Sequence, residues 1–253
     1  MTVSVLRTAS ETGHAWWRKT PNGAAKIDTA ATTTAQLLAD RSAFEAAIEA
    51  AAGSADTVAI DSLKLVSPVT RPCRVVAQMT NFESHVRDAG MDPASVPLTF
   101  FRKASASING PFEDIVKPPH VKLLDYEVEI GLVIGRAIPV GTTISDANLA
   151  EFIAGLVVTN DVSARDIQLP QTQFYEAKSY PTFTPVGTAL SAPPKPMQII
   201  GNLLPPAVKW KMFFSRQAGN RKYLQHDDIV EASVATDDGA IDLGTQRASV
   251  RFA

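Results

Sequence analysis

The segment Asp125-Tyr126-Glu127-Val128-Glu129-Ile130-Gly131-Leu132-Val133-Ile134-Gly135 alternates apolar with acidic or small residues. Read as a β-strand, in which successive side chains point to opposite faces, it puts Tyr126, Val128, Ile130, Leu132 and Ile134 on one face. Glu127 and Glu129 fall on the other. Two carboxylates two residues apart on one strand face are separated by roughly 7 Å. Their repulsion costs about 1 kcal/mol or less in water and several times more when buried. The acidic face is therefore either solvated, as on any half-exposed antiparallel strand, or relieved of its cost by a bound cation.

Downstream, Gly155-Leu156-Val157-Val158-Thr159-Asn160-Asp161 is an apolar run that ends in Asn-Asp and enters Ser163-Ala164-Arg165-Asp166-Ile167-Gln168. A carboxylate at a strand end beside a polar turn is well placed to bind a metal. Three oxygen donors without a cysteine favour Mg²⁺ or Mn²⁺ over Zn²⁺, and Ca²⁺ stays open. Upstream, Asn81-Phe82-Glu83-Ser84-His85-Val86-Arg87-Asp88 places His85 and Asp88 three residues apart. On a helical turn that spacing lets the carboxylate orient the imidazole as a general base; a purely structural histidine is the competing reading.

Around these segments the texture is strand-rich. Strands are expected at RVVAQ (74–78), LTFFRK (98–103), DYEVEIGLVIG (125–135) and AGLVVTND (154–161), with one helix at DANLAEFIA (146–154), capped by Ser145 and closed by Gly155. Residues 1–70 read as an N-terminal accessory region and 71–253 as the catalytic domain. In the accessory region, Ser42 and Glu45 have capping-box spacing, Phe44 and Ile48 sit one turn apart and Gly53 stands where the helix would stop. The stretch from Ser54 to Val69 reads as short strands and turns, and Trp16 and Trp17 as packing residues. A β-rich α+β body follows, not a doubly wound parallel sheet. No Gly-rich phosphate loop, nucleophile elbow, Cys-x-x-Cys pair or solenoid repeat occurs.

Bulk composition narrows the function classes. The chain has 253 residues, 20% charged and 45% hydrophobic, with a formal net charge of −2. That balance argues against wholesale disorder and gives no electrostatic case for nucleic acid or an anionic membrane. The lone Cys73 can form no internal disulfide and reads as a packing residue. The N-terminal residues carry no continuous apolar stretch, and nowhere does a run approach the roughly 20 apolar residues of a membrane span. A cytoplasmic protein is the expectation.

Taken in order, NFESH, TFFRKASASINGP, DYEVEIGLVIG, TNDVSARDIQ, KSYPTFTPVG and DDIVEASVATDDGAIDLGTQR resemble the fumarylacetoacetate hydrolase superfamily, over roughly residues 75–190 and 226–248. The resemblance implies a mixed β-roll, a homodimer, and Mg²⁺ or Mn²⁺ held by Glu127, Glu129 and Asp161. It implies catalytic roles for His85, Asp88 and Lys178, and substrate contacts from Arg165, Gln168, Phe82, Lys103 and Thr184. The implied reaction is hydrolysis of a carbon–carbon bond in a small 2,4-dioxo acid. Isomerisation, decarboxylation or hydration of a 2-oxo acid through a metal-bound enolate is the alternative, and a non-catalytic metal- or ligand-binding protein is a third reading. Three departures stand out. The acid after His85 is Asp88 where the family has Glu, and Pro181 stands where many members carry Asp. Thr184–Leu190 serves for two family segments normally separated by a long strand-rich stretch, so a shortened C-terminal half is expected.

Overall fold

In the computed structural model an eight-stranded sheet joins the N-terminal strands to the acidic segment. The described residues are 3–79, 86, 87, 92, 94, 95, 97, 99–170, 174–192, 223–237 and 241–253. The sheet begins at the acidic strand Val128–Ile134 and continues through Ile153–Asn160, Ala189–Ser191, Ser4–Ser10, Gly13–Thr20, Gly23–Lys26 and Thr57–Val58, with Leu65–Val66 also paired to Ser4–Ser10. Its pairings are antiparallel. The N-terminal strands thus continue the same sheet as the acidic strand. The architecture is strand-rich α+β.

The Ile153–Asn160 strand is apolar from Ile153 to Val158 because both its faces are covered. Leu156 and Val158 pack with Ala232, Ile241 and Leu243 of a second layer, flanked by Val128 and Ile130. Val157 points the other way, against Ile108, Val186 and Leu190, with Cys73, Val75 and Val133 at the margin. The second layer is a three-stranded sheet of Ile229–Ala235, Asp242–Phe252 and Ile115–Lys117. Two smaller pairings complete the surroundings of the site: Leu124–Asp125 with Ser163–Ala164, and Val75–Met79 with Thr99–Lys103. The Thr184–Leu190 segment divides its work. Thr184–Pro185 runs parallel to Ile108–Asn109, and Ala189 and Leu190 join the strand that pairs with Ser4–Ser10.

Helices Thr34–Ala39 and Arg41–Ala52 cover the N-terminal part of the sheet, where Leu37, Ile48 and Ala51 meet Val5, Trp16, Ala25 and Ile27. Trp16 is almost wholly buried and its indole N–H donates to Ala31 O at 2.9 Å, so it packs, as its sequence context suggests. Cys73 likewise packs, half-buried, and burial pushes its thiol up.

Three local expectations are corrected. The long N-terminal helix is capped by Asp40, whose carboxylate accepts from the Ala43 N–H and the Ser42 hydroxyl. The capping box belongs instead to Thr33 and Gln36 on the preceding short helix. An ionised acceptor at the break between two helices outcompetes the Ser42 hydroxyl for the free N–H, and Glu45 pairs with Arg41 at 2.8 Å. The DANLAEFIA helix shrinks to Leu149–Phe152, behind Asn148, and Ser145 donates its N–H to the Asn148 side chain. Gly155 lies inside the next strand, where a Cβ would meet Leu190 Cδ1 and Ser191 O at 2.7 Å. The acidic strand starts at Val128, not Asp125, because Leu124–Asp125 pairs instead with Ser163–Ala164 and Tyr126–Glu127 lie between the two strands. Among the described residues, no helix is long and apolar enough to cross a membrane.

Candidate functional site

The link at Tyr126–Glu127 between the two strands is tied through both the N–H and the carbonyl of Glu127. Glu127 O accepts the Asp161 N–H at 2.8 Å, and the Glu127 N–H donates to Asn160 Oδ1 at 3.1 Å. Two carboxylates, each just outside a strand end, are thereby fixed side by side before any side-chain pairing. Glu129, two residues on, sits opposite Thr159 in the ladder.

Three cationic groups surround these acids. Lys103, the last residue of its strand, places its ammonium 2.6 Å from Asp161 Oδ1 and 2.7 Å from Phe183 O. The Lys178 ammonium donates to the other Asp161 oxygen, Oδ2, and to Glu127 Oε2 at 3.0 Å. Both ammonium-bearing side chains and Asp161 are buried. Arg165 bridges Glu127 Oε1 and Asp125 Oδ2, the latter from Nε at 2.9 Å, and donates from Nη1 to Gln168 Oε1 at 2.6 Å. The Thr184 hydroxyl, also buried, bonds the Ser107 hydroxyl at 2.7 Å.

The charges shift one another in a consistent pattern. Burial alone would raise the Asp161 carboxyl, but Lys103 and Lys178 outweigh it and hold the group below its usual range. Burial pulls the Lys103 ammonium down against the opposing pull of Asp161. The Arg165 guanidinium is raised, because Glu127 and Asp125 overcome the cost of burial. Glu129 is pushed up to about 8, first by burial and then by the nearby carboxylates Glu127 and Asp161. Lys178 and Lys103 only partly offset that rise.

Of the residues singled out in sequence, the structure brings together Glu127, Glu129, Asp161, Lys103, Lys178, Arg165 and Gln168, with Thr184 next to Phe183, whose carbonyl holds Lys103. Phe82, His85 and Asp88 lie outside the described residues. Two members of the network are absent from the sequence reading: Asp125, which holds Arg165, and Asn160, which holds the Glu127 backbone. The spacing of Asp125, two residues before Glu127, is the one sequence signal that could have raised it.

A divalent cation suits this donor set in kind and in charge. Carboxylate oxygens without a thiolate match a hard ion, and Glu129, pushed toward neutrality first by burial and then by Glu127 and Asp161, would be relieved of that cost by a nearby cation. As the side chains stand, among the described residues no three acidic, imidazole or thiol groups are gathered to hold one ion. The Lys178 ammonium stands between Glu127 and Asp161.

Comparison with known proteins gives a consistent picture. A family model for the fumarylacetoacetate (FAA) hydrolase C-terminal domain matches residues 74–203. The rat (Rattus norvegicus) mitochondrial oxaloacetate tautomerase Fahd2a is 34% identical over 149 residues, a match covering 58% of this chain and 46% of that protein. The chain thus spans about half, or less, of the curated relatives it matches. In fold it resembles 5-carboxymethyl-2-hydroxymuconate delta-isomerase from Mycobacterium smegmatis, with a TM-score of 0.65 and 22% identity over 100% of this chain and 99% of that one. It also resembles fumarylacetoacetate hydrolase from Exiguobacterium antarcticum, with a TM-score of 0.65 and 19% identity over 99% of this chain and 100% of that one.

Proposed function

Because the chain belongs to the fumarylacetoacetate hydrolase family, we propose that it is a divalent-metal enzyme that enolises a small 2-oxo acid, as a keto–enol tautomerase or double-bond isomerase. The observation that carries this reading is the interleaving of Glu127, Glu129 and Asp161 with Lys103 and Lys178. Enolisation needs a charged environment that favours an oxyanion and a group that exchanges a proton with carbon. The name of the rat relative, an oxaloacetate tautomerase, supports the same choice.

Glu127, Glu129 and Asp161 would hold Mg²⁺ or Mn²⁺, which when bound supplies Lewis-acid charge for the enolate oxygen. Lys178 holds its protons in a buried position between two carboxylates, where an ammonium hydrogen can turn toward an incoming oxyanion. Lys103 fixes Asp161 from the opposite oxygen, and Arg165 fixes Glu127, so neither acid can swing freely. Gln168, held by Arg165, keeps its amide N–H₂ for a substrate oxygen. His85 is assigned the proton transfer at carbon, on its sequence spacing to Asp88.

Carbon–carbon hydrolysis is the second reading, favoured by the His85–Asp88 spacing, which would serve equally to activate a water. One experiment separates the two. The Mn²⁺-loaded protein is given oxaloacetate and an acylpyruvate, and the enol absorbance and the products are followed together. Enol–keto conversion with the carbon skeleton intact supports enolisation; pyruvate plus a carboxylic acid from the acylpyruvate establishes hydrolysis instead. No turnover of either substrate would count against both.

A further inference from the structure

Each of the two site lysines has an aromatic companion placed by local geometry. Phe101 precedes Lys103 by two residues on the strand Thr99–Lys103, so the two side chains share a face. Phe174 precedes Lys178 by four residues, and the Lys178 N–H donates to Phe174 O at 3.2 Å, one turn apart. The two rings meet edge to face, with centroids 5.5 Å apart and planes at 76°. The Lys178 ammonium lies 5.2 Å from the centre of the Phe101 ring. A pair assembled from two distant segments therefore abuts the ammonium that joins Glu127 to Asp161.

Among the described residues, the pair stands apart from the buried core. Phe101 and Phe174 are both half-buried, and neither is part of the hydrophobic clusters that build the two layers. Their neighbour Phe100 faces outward and is 56% exposed. The cations at the site, meanwhile, are all engaged. Lys103 is held by Asp161, Lys178 by Glu127 and Asp161, and Arg165 by Asp125, Glu127 and Gln168. A second substrate carboxylate arriving against Phe101 and Phe174 would meet rings that offer it no hydrogen-bond donor. A flat conjugated or aryl group would stack against the rings at little entropic cost.

We infer that Phe101 and Phe174 form the wall for the far end of the substrate and select an uncharged planar substituent, conjugated or aryl, over a second carboxylate. This rests on the enolising 2-oxo-acid reading and narrows its substrate class. Three inert probes share one oxamate head: oxamate itself, N-phenyloxamate with a planar aryl tail, and N-oxalylglycine with a carboxylate tail. Their binding to the Mn²⁺-loaded protein is measured by calorimetry for the wild type, Phe174→Ala and Phe101→Leu.

In the wild type, N-phenyloxamate is expected to bind on the order of tenfold or more tighter than N-oxalylglycine. Phe174→Ala and Phe101→Leu should each remove most of that preference while leaving oxamate affinity within about twofold. N-oxalylglycine binding as tightly as the phenyl probe to the wild type would overturn the inference without touching the enolate reading. So would a parallel loss of all three probes in both folded variants, since the rings would then be structural. Failure of oxamate to bind the wild type at all would overturn the enolate reading and the inference with it.

Discussion

Lys103 and Lys178 grip the two oxygens of one buried carboxylate, Asp161, from opposite segments of the chain. A buried charge stripped of its partner is costly, typically about 3–5 kcal/mol. Asp161→Asn leaves two ammonium groups competing for what remains, so it should lower unfolding free energy by about that amount. Lys103→Met should cost less, because Lys178 still neutralises Asp161. Urea denaturation at neutral pH measures both, and equal losses would show that the two lysines do not share the carboxylate.

Glu129 makes the metal-free protein sensitive to pH. The group is held at about 8 in the fold against an ordinary value of 4.5. Between those values the folded chain binds the extra proton, so stability must fall as pH rises from about 4.5 to about 8 and level off above. Glu129→Gln should flatten that slope and stabilise the metal-free protein at pH 8, by on the order of 1–3 kcal/mol after solvent screening. Mn²⁺ binding near pH 6.5 should release close to one proton, read from calorimetry in buffers of different ionisation enthalpy. Identical pH slopes for the wild type and the variant would sink this account.

Asn160 is fully buried and accepts the Glu127 N–H through Oδ1. Removing it by Asn160→Ala leaves that backbone donor without its partner and loosens the link that carries Glu127. A loss of about 1–3 kcal/mol in stability is expected, with Mn²⁺ affinity reduced by about 10–100-fold, as for other outer residues that orient a ligand. Asn160→Asp keeps the acceptor and should recover most of the stability at low pH, where its carboxyl is neutral. A variant with unchanged Mn²⁺ affinity would show that Glu127 is positioned without it.

Gly187 lies where a Cβ would run into the Val158 side chain at the junction of the two layers. Overpacking of that kind costs about 1–3 kcal/mol. Gly187→Ala should therefore lower the Tm by several degrees, on the order of 2–4 °C per kcal/mol for a chain of this size. A Tm within one degree of wild type would mean that the junction is loosely packed.

How far the site can be read from the chain depends on the range of each interaction. The alternation over 125–135 marks Glu127 and Glu129 because period-two patterning is a local property, and the apolar run into Asn160-Asp161 marks its own end. Phe101 and Lys103 share a face for the same reason. The tie between Arg165 and Asp125 spans 40 residues and that between Lys103 and Asp161 spans 58, so no local spacing encodes them. Tertiary context also reset local signals: Asp40 took the cap from Ser42, and the pairing of Leu124–Asp125 cut the acidic strand short. The placement of Ser4–Ser10 inside the main sheet has no counterpart in its composition.

That placement bears on how the molecule is made. Ser4 pairs with Ser191 across 187 residues, hydroxyl to hydroxyl at 2.9 Å. During synthesis the first strand emerges long before its partner, and closing so distant a contact is slow. Until then the Ser4–Leu6 part of one edge stays unpaired, since Leu65–Val66 covers only Arg7 and Thr8, and it is a surface on which nascent chains can join one another. Chaperone demand and aggregation during expression should therefore concentrate in the interval before residue 191 leaves the ribosome, and a chain ending short of it would keep that edge open permanently.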